Sequence, residues 1–185
     1  LKARAQLYDQ IYHSFYESTL ALYQDQYALF GDPEVLPIKV IWDYTYYWGV
    51  LSQIFFQDRL TDLALLGSLK EELQHCQKLN VAVQHFLRAW SSVTTKRNPA
   101  VMLDQAALPW FADLNRSLND DLDDDAFRDR MRASAAQLRQ LAAEILVRAS
   151  VEHPGIEATD LRALLQEKMA VEPANSDQGT MLFAA

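Results

Sequence analysis

The chain has 185 residues, half of them hydrophobic and 23% charged, which suits one globular domain with a real core and excludes a disordered or low-complexity segment. Five Gly and six Pro are too few for the turns of a sandwich or barrel, or for the glycine loop of a nucleotide-binding α/β domain, and they point to long helices. A formal charge of −8 with scattered basic residues repels a phosphate backbone, so nucleic acid is not an expected partner.

An all-α bundle of five or six helices with no sheet follows. From Ala3 to near Leu29, Gln6, Asp9, Gln10, His13 and Glu17 fall on one side of a helix and Leu7, Tyr8, Ile11, Tyr12, Phe15, Leu22 and Tyr23 on the other. Gly31-Asp32-Pro33 stops it, and Pro37 opens a second helix running to about Gln57 that is apolar nearly all round, hence the most buried one. Its uncharged run, Tyr44 to Gln57, is 14 residues, too short for a membrane span. With Thr61 as N-cap, a third helix reaches Val93 carrying Leu66, Leu69, Leu73, Cys76, Asn80, Val83, Leu87 and Trp90 in a heptad seam. It should pack along the second helix at the centre of the bundle.

Asn98-Pro99 and Leu108-Pro109 each open a short helix. The acidic run from Asp120 to Asp125 precedes a helix from Ala126 to Val151, which His153-Pro154-Gly155 ends, and a last helix covers Glu157 to Met169. The organisation is a single helical domain over residues 1–170 and a tail over 171–185. Of 20 aromatic residues, 14 lie in the first 56, so the first half reads as the wall of a large apolar space and the second as a solvated brace. One cysteine, Cys76, permits no intramolecular disulfide and suits a reducing, cytoplasmic setting.

Chemistry-bearing patterns are sparse. Glu72-x-x-His75 has the spacing of di-iron bundles but occurs once, so it reads as a solvated helix face. Asp9, His13 and Glu17 read as a surface stripe. Asp120-Asp121-Leu122-Asp123-Asp124 matches an Asp-Asp-x-x-Asp metal string, yet it sits just before a helix, where carboxylates cap free N–H groups. No metal site and no catalytic residue is expected. The segment Ile41 to Gly49 stands out because Asp43 is the only charge between Lys39 and Asp58. A buried carboxylate needs donors, and tyrosine hydroxyls are the obvious ones. The segment is either an aromatic core with a satisfied Asp or the wall of a pocket for a flat or conjugated ligand, built from Trp42, Asp43, Tyr46, Tyr47 and Trp48.

The stretch Leu22-Tyr23-Gln24-Asp25-Gln26-Tyr27, then Leu29 through Val35, then Ile41-Trp42-Asp43-Tyr44 and Tyr47-Trp48-Gly49, resembles the C-terminal helical region of FAD-dependent oxidoreductases of the flavin halogenase type, over roughly residues 1–115. In that family the N-terminal part carries a Gly-x-Gly-x-x-Gly, a Trp-x-Trp-x-Ile-Pro motif and a catalytic lysine, and none of these motifs is present here. The resemblance implies a substrate-covering domain of a halogenase- or monooxygenase-like parent, with no cofactor in this chain and FAD in the parent. Its partners would be the FAD-binding domain of the same polypeptide and an aromatic or conjugated substrate. A start at Leu1 instead of Met agrees with a fragment of a longer protein. The alternative is a stand-alone helical interaction module.

Overall fold

The computed structural model describes residues 2–95 and 103–167, and among these there are helices and no strand. Eight α-helical segments occur: α1 (Lys2–Ala21), α2 (Val35–Tyr46), α3 (Ser52–Phe56), α4 (Leu63–Ser68), α5 (Lys70–Val93), α6 (Pro109–Arg116), α7 (Asp124–Glu152) and α8 (Thr159–Gln166). A π-turn, Tyr47–Leu51, joins α2 to α3, and Leu69 alone separates α4 from α5, so the segments amount to six rods. The helix expected at Asn98-Pro99, the end of the last helix and the tail over 171–185 lie outside the described residues.

Local chemistry sets most boundaries. The first helix stops at Ala21, well short of Leu29. Asp25 turns the chain in the left-handed region at φ 58°, which Asp tolerates better than most residues. A single 3-10 turn, Tyr27–Gly31, then leads to Asp32, whose Oδ1 accepts from the amides of Glu34 and Val35, both at 3.0 Å. That carboxylate caps α2 and starts it two residues before Pro37, which falls in the first turn, where a missing N–H costs nothing. Its other oxygen accepts from Ser91 Oγ at 2.7 Å, tying the start of α2 to the end of α5. Asp62, one residue past Thr61, caps α4 by accepting from Leu65 N at 3.0 Å.

Helix α5 packs against α2, α7, α8 and α1, with α7 as its main neighbour. Of the seam residues, Leu69, Cys76, Asn80, Val83, Leu87 and Trp90 are buried, while Leu66 and Leu73 are half-buried against the core. Helix α7 corrects the expectation of a solvated brace. Phe127, Met131, Ala135, Leu138, Leu141, Ala142, Ile145 and Ala149 bury a continuous stripe, so α7 is a major part of the core. The second rod corrects the opposite expectation: Tyr44, Tyr47, Phe55 and Phe56 are exposed, so one of its faces is open.

The π-turn has a visible cause and effect. Ser52 N donates to Tyr47 O, five residues back, and the extra residue advances the helix so that Val50, Leu51 and Ile54 all reach the core. Gly49 lies in this turn where the rod meets α7. A Cβ there would sit 3.4 Å from Ser134 Oγ and 3.7 Å from Leu114 Cδ1.

Candidate functional site

The open face of α2 forms one side of a groove of about 430 Å³. Thr19, Leu22 and Tyr23 close it from the end of α1, Phe30 from the 3-10 turn, and Leu36, Lys39, Val40, Asp43, Tyr44 and Tyr47 from α2. Residues 36, 40, 43, 44 and 47 share a helix face by the three-and-four spacing, which is why one short segment supplies so much of the wall.

The floor of the groove is polar. Lys39 is buried, its side chain 2% exposed, while that of Asp43 is 19% exposed and reaches the groove. The two are one turn apart and form a short ion pair from Nζ to Oδ2. Lys39 Nζ also donates to Leu22 O at 2.7 Å, a carbonyl just past the end of α1 that the helix leaves free. Gln84 of α5 donates from Nε2 to Asp43 Oδ1 at 2.7 Å and lies 3.3 Å from Asn80 Oδ1, which accepts from Trp42 Nε1 at 2.9 Å. A continuous polar seam therefore runs from the end of α1 through α2 into α5. Burial raises the Asp43 carboxyl above the ordinary carboxylate range, against the opposing pull of the Lys39 charge.

The five pocket residues read from the sequence separate. Asp43 and Tyr47 line the groove, but Trp42 and Tyr46 point into the core. Burial pushes the Tyr46 hydroxyl up to about 12, with Ser18 as its hydrogen-bond partner. Trp48 does not line the groove and packs instead on Tyr44 and Phe111, at centroid separations of 4.6 and 5.0 Å. Helical geometry forces this division, because adjacent residues diverge by about 100°. Asp43 does have hydrogen-bond donors, but they are Lys39 and Gln84 and not the tyrosine hydroxyls expected. Lys39 was legible as the i−4 partner of Asp43. Gln84, Tyr23, Phe30 and Tyr44 carry no local signal of a shared site.

The other patterns are structural. His75 is buried between helices, contrary to the solvated face expected for Glu72-x-x-His75. Its Nε2 accepts from Arg139 at 3.0 Å, its Nδ1 lies 3.8 Å from Glu167, and Glu72 pairs with Arg132 at 3.4 Å. Arg139 also donates to Leu164 O and Leu165 O, closing the end of α8. Asp9 and His13 form an exposed pair, as expected of a surface stripe. In the acidic run, Asp123 caps α7 by accepting from Ala126 N at 2.8 Å, while Asp120 and Asp124 pair with Arg130 and Arg59. Gln57 and Arg59 hold the backbone of this run at Asp120 and Leu122. Among the described residues no group of three or more His, Cys, Asp or Glu is gathered to hold a metal ion. No helix among them is long and apolar enough to cross a membrane.

The chain matches no protein-family model, no curated protein and no solved structure.

Proposed function

We propose that the chain is the substrate-covering helical domain of an FAD-dependent halogenase- or monooxygenase-like oxidoreductase, and that the groove is its contribution to the pocket for an aromatic or conjugated substrate. One observation carries this reading: the stretches that bear the resemblance meet in space. Leu22 and Tyr23 from the first, Phe30 from the second, and Asp43, Tyr44 and Tyr47 from those that follow line the same groove. Rings from three segments of the chain and a carboxylate beside them suit a flat ligand held by its faces and oriented by one polar contact.

The described residues do not fit the flavin. They include no strand leading into a helix, the sequence has no Gly-x-Gly-x-x-Gly, and the amides of Glu34 and Val35 at the start of α2 are taken by Asp32. FAD and the residues that act with it therefore belong, in this proposal, to another domain of the same polypeptide. Titrating the isolated chain into FAD is expected to leave flavin fluorescence unchanged.

The decisive experiment uses the complete coding sequence. The purified product is expected to carry flavin, and Tyr47→Ala is expected to lower turnover of an aromatic substrate with flavin content unchanged. A complete product without flavin overturns the proposal.

The alternative, a helical interaction module, is favoured by one feature, the exposed residues Tyr12, Tyr16 and Leu20 along one side of α1, with Tyr23 just past its end. A coding sequence beginning a few residues upstream of Leu1, with no dinucleotide fingerprint, selects that reading.

A further inference from the structure

We infer that the groove selects a ligand carrying a single positive charge on an ammonium group, the charge set against Asp43 and the apolar part against Tyr23, Phe30, Tyr44 and Tyr47. This rests on the reading of the groove as a small-molecule pocket and adds the sign of the charge it accepts. The Lys39–Asp43 pair is neutral as a unit but is not presented to the groove as one. Lys39 lies behind, 2% exposed, its ammonium committed to Asp43 and to Leu22 O, while the carboxylate is 19% exposed. An anion entering the groove meets the carboxylate before it can reach the ammonium.

Asp43 retains capacity for another donor. A carboxylate offers about four acceptor positions, and Lys39 and Gln84 supply one donor to each oxygen. Its carboxyl is raised by burial in spite of Lys39, so a further cation relieves an incompletely compensated charge. The walls favour the same sign, because aromatic faces are the negative regions of their rings, and phenylalanine and tyrosine rings around a carboxylate make a cation–π environment. Among the described residues, Lys39 is the only basic one lining the groove, and the net charge of −8 attracts a cation from a distance.

The test is a titration of the whole chain, followed by ligand-observed NMR, with benzylammonium, its uncharged isostere ethylbenzene, and benzoate. The cation is expected to bind about tenfold more tightly than the isostere, the range of a partly desolvated cation–π contact. Asp43→Asn is expected to erase that difference while hydrocarbon binding persists, and Tyr47→Leu, at an exposed position, to weaken both ligands. If Asp43→Asn does not fold, the wild-type comparison and Tyr47→Leu decide the question. Equal affinity for cation and isostere, or preference for benzoate, overturns the inference and leaves the aromatic pocket standing. No binding of any probe overturns the inference, and the flavin content of the complete product then decides the parent reading separately.

Discussion

Lys39 and Asp43 show how one buried charge forces others into place. Lys39 satisfies a free carbonyl at the end of α1, Asp43 compensates Lys39, and Gln84 holds the second oxygen of Asp43. Removing the carboxylate strands an ammonium that has almost no access to water. Asp43→Ala is therefore expected to cost about 2–3 kcal/mol in urea denaturation, more than a surface change and less than for a fully buried pair, because Asp43 is partly solvated. Lys39→Met combined with Asp43→Leu should recover part of that loss, and a double-mutant cycle with no coupling would contradict the account. Cys76 offers an independent check on burial. Its thiol is pushed up to about 12 by desolvation, with Glu72 adding to the effect, so it is expected to resist a thiol reagent at neutral pH until the chain unfolds. That this cysteine is buried was legible from its place in the heptad seam. The partners of Asp43 were not fully legible, because Gln84 is 41 residues away and only the fold brings it near.

The π-turn and the α5–α7–α8 junction carry the tests at the scale of elements. Gly49 has room for a methyl group and no more, so Gly49→Ala is expected to stay within about 0.5 kcal/mol of wild type, helped by helix propensity. Gly49→Leu drives into Ser134 and Leu114 and is expected to cost about 1–3 kcal/mol, read from the denaturant midpoint. At the junction, burial and the neighbouring Arg139 hold the His75 imidazole below its ordinary value of 6.5. The unfolded chain then binds a proton that the folded chain resists, so His75 contributes stability above about pH 6.5 that is lost as pH falls toward the lower folded value. The thermal midpoint should drop as pH is lowered from about 7.5 to about 5, and His75→Gln should flatten that slope; an unchanged slope would remove His75 from the explanation. Helix α7 is where pattern reading misjudged an element. Its buried stripe includes three alanines and its other faces carry five arginines, so composition resembles a solvated rod although residues 127, 131, 135, 138, 142, 145 and 149 keep a helical period. Small residues bury as completely as large ones when helices approach closely.

At the scale of the molecule, helix-rich composition and apolar periodicity made the all-α class legible, and the central place of α5 followed from its seam. The groove was not legible, because α1, the 3-10 turn and α2 each contribute residues whose neighbours face elsewhere. Trp42 and Asp43 are adjacent in sequence and part at once, one into the core and one into the groove. What the sequence presents as one aromatic cluster divides between the groove and a neighbouring ring cluster, with Tyr44 touching both.

The central claim, that this groove is the ligand-binding surface, is tested most directly by mapping backbone amide shifts of the labelled chain during titration with a planar aromatic probe such as naphthol. The account predicts shifts confined to the groove, at Thr19 to Tyr23, Phe30 and Leu36 to Tyr47, and reduced by Tyr47→Leu. Shifts centred on Trp48 and Phe111, or on Ser91 to Thr95 at the end of α5, would contradict it, as would saturation without any change at Asp43.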